Sequence, residues 1–202
     1  MATTSKGERT KVRIAEAAAD LVWDRGVAGV SLDDVRAATG TSKSQLYHYF
    51  ADKAALLREV VAVQSERNLE AQRPTLERLD SWAALERWFD EIVATKAEQG
   101  CRGSCRIGSL VNQLAETDPA ARADLAAAFE RWESYLAAGL GSMRDRGSLI
   151  PAAKPGELAV ATMASLQGGL LLSQAARSTR PLRLALDAAL RHLRTWAPSP
   201  QS

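Results

Sequence analysis

The chain has 202 residues, 46% of them hydrophobic, and 26 Lys and Arg against 24 Asp and Glu give a formal charge of +2. That length holds one large core or two small ones, and the near-balance of charge makes the chain only mildly basic, so any nucleic-acid surface must be local. Charges interrupt every early apolar run, which argues against a signal peptide or membrane span and predicts a cytoplasmic protein, and two cysteines exclude a disulfide scaffold.

After a polar stretch over residues 1 to 8, expected to be mobile, Ile14, Ala17, Ala18, Leu21 and Val22 recur at helical spacing, and Gly26 is placed to end the helix in a left-handed cap. Lys6, Arg9, Lys11 and Arg13 make its start basic, a pattern suited to DNA phosphates. Residues 31 to 53, SLDDVRAATGTSKSQLYHYFADK, then read as two short helices joined by a tight turn, with a third beginning at once. Ser31 is the N-cap of the first, Thr39 and Gly40 stop it, and Ser42 caps the second, which runs from about Lys43 to His48.

A helix-turn-helix of this size lays its second helix in the major groove. Thr41, Ser42, Lys43, Ser44 and Gln45 are short or flexible hydrogen-bonding groups at the start of that helix, while Leu46 and Phe50 seat it. Tyr47 and Tyr49 pack their rings and keep a hydroxyl for phosphate. Asp52 caps the next helix, and Lys53 in its first turn is a cation against the dipole preference, which invites a partner such as phosphate.

Ser31, Val35, Gly40, Ser42, Leu46, Tyr47, Tyr49, Phe50, Lys53 and Leu56, preceded by Arg13, Ile14, Ala17, Ala18 and Gly26, carry a resemblance to the DNA-binding domain of TetR-type (TetR/AcrR-like) transcriptional regulators. The resemblance implies that Thr41, Ser42, Lys43, Ser44 and Gln45 face bases or nearby backbone, and that Tyr47, Tyr49 and Lys53 clamp phosphates. Arg36 and Thr39 stand where such regulators usually carry alanine.

From Lys53 a longer helix carries Leu56, Leu57, Val60, Val61 and Gln64 toward Gln72, before Pro74 interrupts. Ser81 caps a helix with Leu85, Phe89, Ile92 and Val93 on one face, and Gly100 ends it. The loop CRGSC follows. With His48 and His192 the only histidines, Cys101 and Cys105 do not make a zinc site, and no metal or cofactor is expected. A redox switch through Cys101 and Cys105, helped by Arg102 and Arg106, is the alternative reading. An enzyme using either cysteine with a histidine lacks an acid partner or phosphate loop.

Residues 104 to 116 form a short helix by periodicity, and Asp118-Pro119 opens a long one with Leu125, Phe129, Trp132, Leu136, Leu140 and Met143 in a stripe. The helix from about Gly156 to Arg177 is apolar nearly all round, with Gly168 and Gly169 in its interior, and the last helix starts at Pro181 with a wide apolar face. Two such helices predict a homodimer built as a four-helix bundle. Resemblance to one subgroup of the same regulators extends over 103 to 175 through GSL, QLAETDPAARADLAAAFERWE and SLQGG.

The expected fold is therefore all-α, with an N-terminal three-helix DNA-binding domain at 1–52 and a C-terminal helical ligand-binding and dimerisation domain at 53–202. Trp88, Phe89, Asn112, Gln113, Trp132, Tyr135, Met163, Gln167 and Leu170 combine aromatic walls with polar handles and are the expected ligand contacts. Their lack of charge points to an apolar or aromatic effector. The resemblance implies a repressor that leaves its palindromic operator when the effector binds, with operator DNA, the effector and a second copy as partners and no membrane.

Overall fold

The computed structural model describes residues 6–199, so the first five residues of the expected polar stretch lie outside the described residues. All regular structure among the described residues is helical: α1 (Lys6–Arg25), α2 (Leu32–Thr39), α3 (Lys43–Tyr49), α4 (Lys53–Glu70), α5 (Arg73–Leu76), α6 (Trp82–Glu98), α7 (Arg106–Leu114), α8 (Pro119–Asp145), α9 (Pro155–Ala176) and α10 (Arg180–Arg194). Two compact units result. One takes the chain through Asn68 together with Ser109–Ala128, and the other takes Leu69–Gly108 with Phe129 onward.

In the first unit, the expected caps form. Ser31 and Ser42 each accept from the amide three residues on, and Asp34 and Gln45 reach back to the cap amides, closing two capping boxes. Gly40 ends α2 at φ 64° and Gly26 ends α1 at φ 74°, both in the left-handed region that glycine enters without a Cβ clash. The buried stripe of α1 is Ile14, Ala15, Ala18, Ala19 and Val22, while Ala17 and Leu21 are only half-buried. The face is rotated from the expected one because α1 serves two neighbours, and the paired alanines let both approach closely. It packs on α2 and is tied to α4. Lys11 pairs with Glu59, the Gln64 amide donates to the Ala19 carbonyl at 2.8 Å, and Arg67 pairs with Asp20. These ties carry the packing unit past residue 52, to Asn68.

The second unit is built on α6, α9 and α10 with the later part of α8. Trp88 and Phe89 on α6 are buried with ring centroids 5.3 Å apart, and the Trp88 indole N–H donates to Gln72 Oε1 at 3.0 Å. The helices α9 and α10 pack on one another. Gly169 makes this possible: a Cβ there would lie 3.0 Å from Leu182 Cα and 3.1 Å from the Ala185 Cβ. Ser173 is fully buried in the same seam because its hydroxyl accepts from the Leu182 amide at 3.0 Å, pairing a donor that the first turn of α10 would otherwise leave unmet.

Candidate nucleic-acid interface and ligand domain

The first turn of α3 presents Ser42, Lys43, Ser44 and Gln45 to solvent, with Tyr47 also exposed. Ser42 and Gln45 are held by the capping box, in which Gln45 Oε1 accepts from the Ser42 amide at 3.1 Å, so the amide NH2 of Gln45 remains to donate. The Lys43 ammonium lies 6.0 Å from the Tyr47 ring centroid. Tyr49 is half-buried against His48, their ring centroids 5.0 Å apart.

Three expectations change at this site. Thr41 is buried, 5% exposed, and its hydroxyl is 2.6 Å from that of Thr39, so its side chain is engaged within the turn and is not presented to solvent as expected. Thr39, one of the two departures from the usual alanine, supplies that partner. Lys53 is half-buried and already has a partner, since its Nζ donates to the Val27 carbonyl at 2.8 Å; an ammonium has three N–H groups, so two remain. The basic start of α1 is largely used within the fold: Lys11 pairs with Glu59, and Arg13 donates to the Thr39 carbonyl at 2.6 Å, meeting an unpaired acceptor at the end of α2.

The expected ligand contacts divide. Trp88, Phe89, Trp132, Met163 and Leu170 are buried in the second unit, and Gln167 bonds to the Met163 sulfur at 3.8 Å. The indole N–H of Trp132 is buried without an acceptor, and Tyr135 is half-buried with its hydroxyl accepting from Arg73 at 3.2 Å. Asn112 and Gln113 do not join them. Both are exposed on α7, opposite the buried Ile107, Leu110 and Leu114, and Gln113 is engaged with Val27 and Ser109.

The cysteine loop is organised by a residue the sequence reading passed over. Lys96 is buried, and Gln99 Oε1 and the carbonyls of Arg102, Gly103 and Ser104 share the three N–H groups of its ammonium at 3.0 to 3.4 Å. Burial lowers its pKa, and the nearby Cys105 and Cys101 act in the opposite direction. Cys101 and Cys105 are both buried, and burial pushes the Cys105 thiol up, away from the thiolate that oxidation requires. Its place in the sequence is a signal in hindsight: Lys96 continues the apolar stripe of Leu85, Phe89 and Val93.

Two box-capped helices joined through a left-handed glycine, with a polar exposed first turn on the second, define a helix-turn-helix DNA-binding protein. The family model for bacterial regulatory proteins of the tetR family matches residues 14–60, and that for the transcriptional regulator LmrA/YxaF-like C-terminal domain matches residues 81–188. The chain belongs to the TetR family of transcriptional regulators. It is 28% identical over 183 residues to an HTH-type transcriptional regulator from the lacX 3′ region of Lactococcus lactis subsp. lactis, covering 88% of this chain and 90% of that one. It is 27% identical over 181 residues to the HTH-type transcriptional repressor DhaR of Mycobacterium sp. (strain GP1), covering 86% and 88%. A TetR-family regulator of Cytophaga hutchinsonii has the same fold, with TM-score 0.83 at 17% identity over 98% of this chain and all of that one. Regulators of this family bind operator DNA as homodimers and are typically repressors; its relatives here are regulators and not enzymes.

Proposed function

We propose that this chain is a ligand-responsive homodimeric repressor that reads a palindromic operator and is released by a small apolar or aromatic effector. The observation that carries the reading is the exposed first turn of α3, where Ser42, Lys43, Ser44 and Gln45 reach outward from a helix fixed by its own cap. Base edges are read from such a turn, while Tyr47, Tyr49 and Lys53 supply hydroxyl and ammonium donors to phosphates. Functionally the chain divides at residue 52, with 1–52 as reading head and 53–202 as the part that binds effector and a second copy.

A stripe on α9 supports the dimer. Val160, Ala164, Gly168, Leu171 and Ala175 recur every three or four residues and are all exposed, with Leu172 and, on α10, Leu184 beside them. Water-exposed leucines around a bare glycine suit a second backbone approaching closely. The helix α9 is long and apolar enough to cross a membrane by composition, but 44% of that window is buried, and a DNA-binding regulator in the cytoplasm covers the remainder with its second copy. On the effector side, the orphan Trp132 N–H suits a hydrogen-bond acceptor on an otherwise apolar molecule.

Selection of bound duplexes from a random pool, at several salt concentrations, tests the reading. Enrichment of a palindrome with affinity falling steeply in salt is the expected result, and Lys43→Ala should change the enriched sequence. A folded protein that enriches nothing, with no small molecule in its native mass spectrum, would sink the proposal.

A further inference from the structure

Gln113 lies at the end of α7, and both ends of its carboxamide are occupied. Its Nε2 donates to the Ser109 carbonyl one turn back at 2.9 Å, and its Oε1 accepts from the Val27 amide at 2.7 Å. Turning the amide over would set NH2 against N–H, two donors facing each other, so the pair of bonds fixes its orientation. Beside Val27, a Cβ on Gly26 would sit 3.0 Å from the same Oε1, so Gly26 is bare on the side that Gln113 occupies as well as left-handed in backbone.

Val27 is held from its other side too. Its carbonyl accepts from Lys53 Nζ at 2.8 Å, so one residue of the α1–α2 loop is gripped by α7 through its N–H and by the first residue of α4 through its C=O. Four residues later the chain reaches Ser31, the cap of α2. A free lysine side chain samples many rotamers and loses that freedom when it binds; anchoring one N–H on a fixed carbonyl removes the loss in advance and aims the other two. Arg25 and Asp34 are the charges that face this corner, paired at 3.8 Å, and the Asp34 carboxylate is the competing partner for a lysine that loses its carbonyl.

We propose that Gln113 is a positioning residue for DNA binding: by holding the Val27 backbone through its N–H it fixes the Val27 carbonyl, and with it the Lys53 ammonium, where an operator phosphate meets it. The inference rests on the reading of Lys53 as a phosphate contact, and it assigns to Gln113 a role other than the ligand contact expected from sequence.

The test measures binding by the full-length protein to the duplex enriched from the pool and to a random-sequence duplex, across a salt series. Lys53→Met should lower the slope of log affinity against log salt by about one unit. Gln113→Leu should lower it likewise, with affinity down roughly three- to tenfold, as for loss of one net hydrogen bond. Gln113→Ser, too short to reach, should behave as Gln113→Leu and serves if the leucine variant folds poorly. The double variant with Lys53→Met should lose no more than Lys53→Met alone. A native slope in the Gln113 deletions while Lys53→Met lowers it, or additive losses, overturns the relay and leaves the Lys53 contact standing. A native slope in Lys53→Met itself overturns that contact and the relay with it.

Discussion

Asp34 accepts from both the amide and the hydroxyl of Ser31, and these bonds, with help from Arg25 and Lys53, hold its carboxyl below its ordinary value of 3.8. A depressed carboxyl stabilises the fold at pH values above its unfolded pKa, and the contribution disappears as pH falls through the folded one. Asp34→Asn should therefore lower the thermal midpoint at neutral pH and converge on the native protein in acid, a difference that thermal melts across pH would reveal. Trp132 predicts another kind of result. Its buried N–H has no acceptor, so in Trp132→Phe the loss of that unmet donor offsets part of the cavity cost and the free protein should lose only about 1 kcal/mol or less, yet effector binding measured by titration calorimetry should weaken. Roles of this sort divide by sequence distance. The caps at Ser31 and Ser42 were readable because a cap and its amide are three residues apart. The Gln113 bond to Val27 spans 86 positions and leaves no local pattern, and Thr41 is withdrawn by a neighbouring hydroxyl that no periodicity describes.

Helices were readable for the same reason, and faces less so. Gly100 and Asp118-Pro119 mark helix boundaries through backbone chemistry that acts locally, whereas the rotated stripe of α1 depends on which neighbours it meets. The adjacent glycines of α9 show how far the distinction goes. Gly169 faces α10, where a side chain would collide with Leu182, while a Cβ on Gly168 would meet nothing within 4 Å. Gly169→Val should thus cost about 1–3 kcal/mol of folding stability through overpacking. Gly168→Leu should fold at least as well as the native chain and dissociate the dimer in sedimentation experiments. A Gly168→Leu protein that remains dimeric would place the interface elsewhere.

At the scale of the whole molecule, two copies should fold and bind as one object. Leu171 and Leu172, 53% and 59% exposed in a single chain, are the largest side chains that α9 brings to the proposed seam. Replacing both with glutamate puts four like charges into it, and the expected product is a folded monomer that keeps weak, salt-sensitive affinity for any DNA but loses its preference for a palindrome. In the native protein the melting temperature should rise with protein concentration, because association stabilises only the folded state. A melt that ignores concentration, with sedimentation showing one chain, would refute the dimer.

The three ties between α1 and α4 also set a mechanical scale. They make the reading head and the shaft beneath it one stiff arm, since Glu59, Gln64 and Arg67 are spread over successive turns. An arm of 18 residues is about 27 Å long at 1.5 Å per residue, so pivoting it by only about 5° at the Glu70 end sweeps Lys53 through roughly 2 Å. A hydrogen bond to phosphate does not survive such a sweep, and both heads of a dimer suffer it together. On the proposed reading, angular amplification along this braced helix is the means by which an effector would dislodge the protein from DNA, by shifting a few side chains a fraction of an ångström and without unfolding anything.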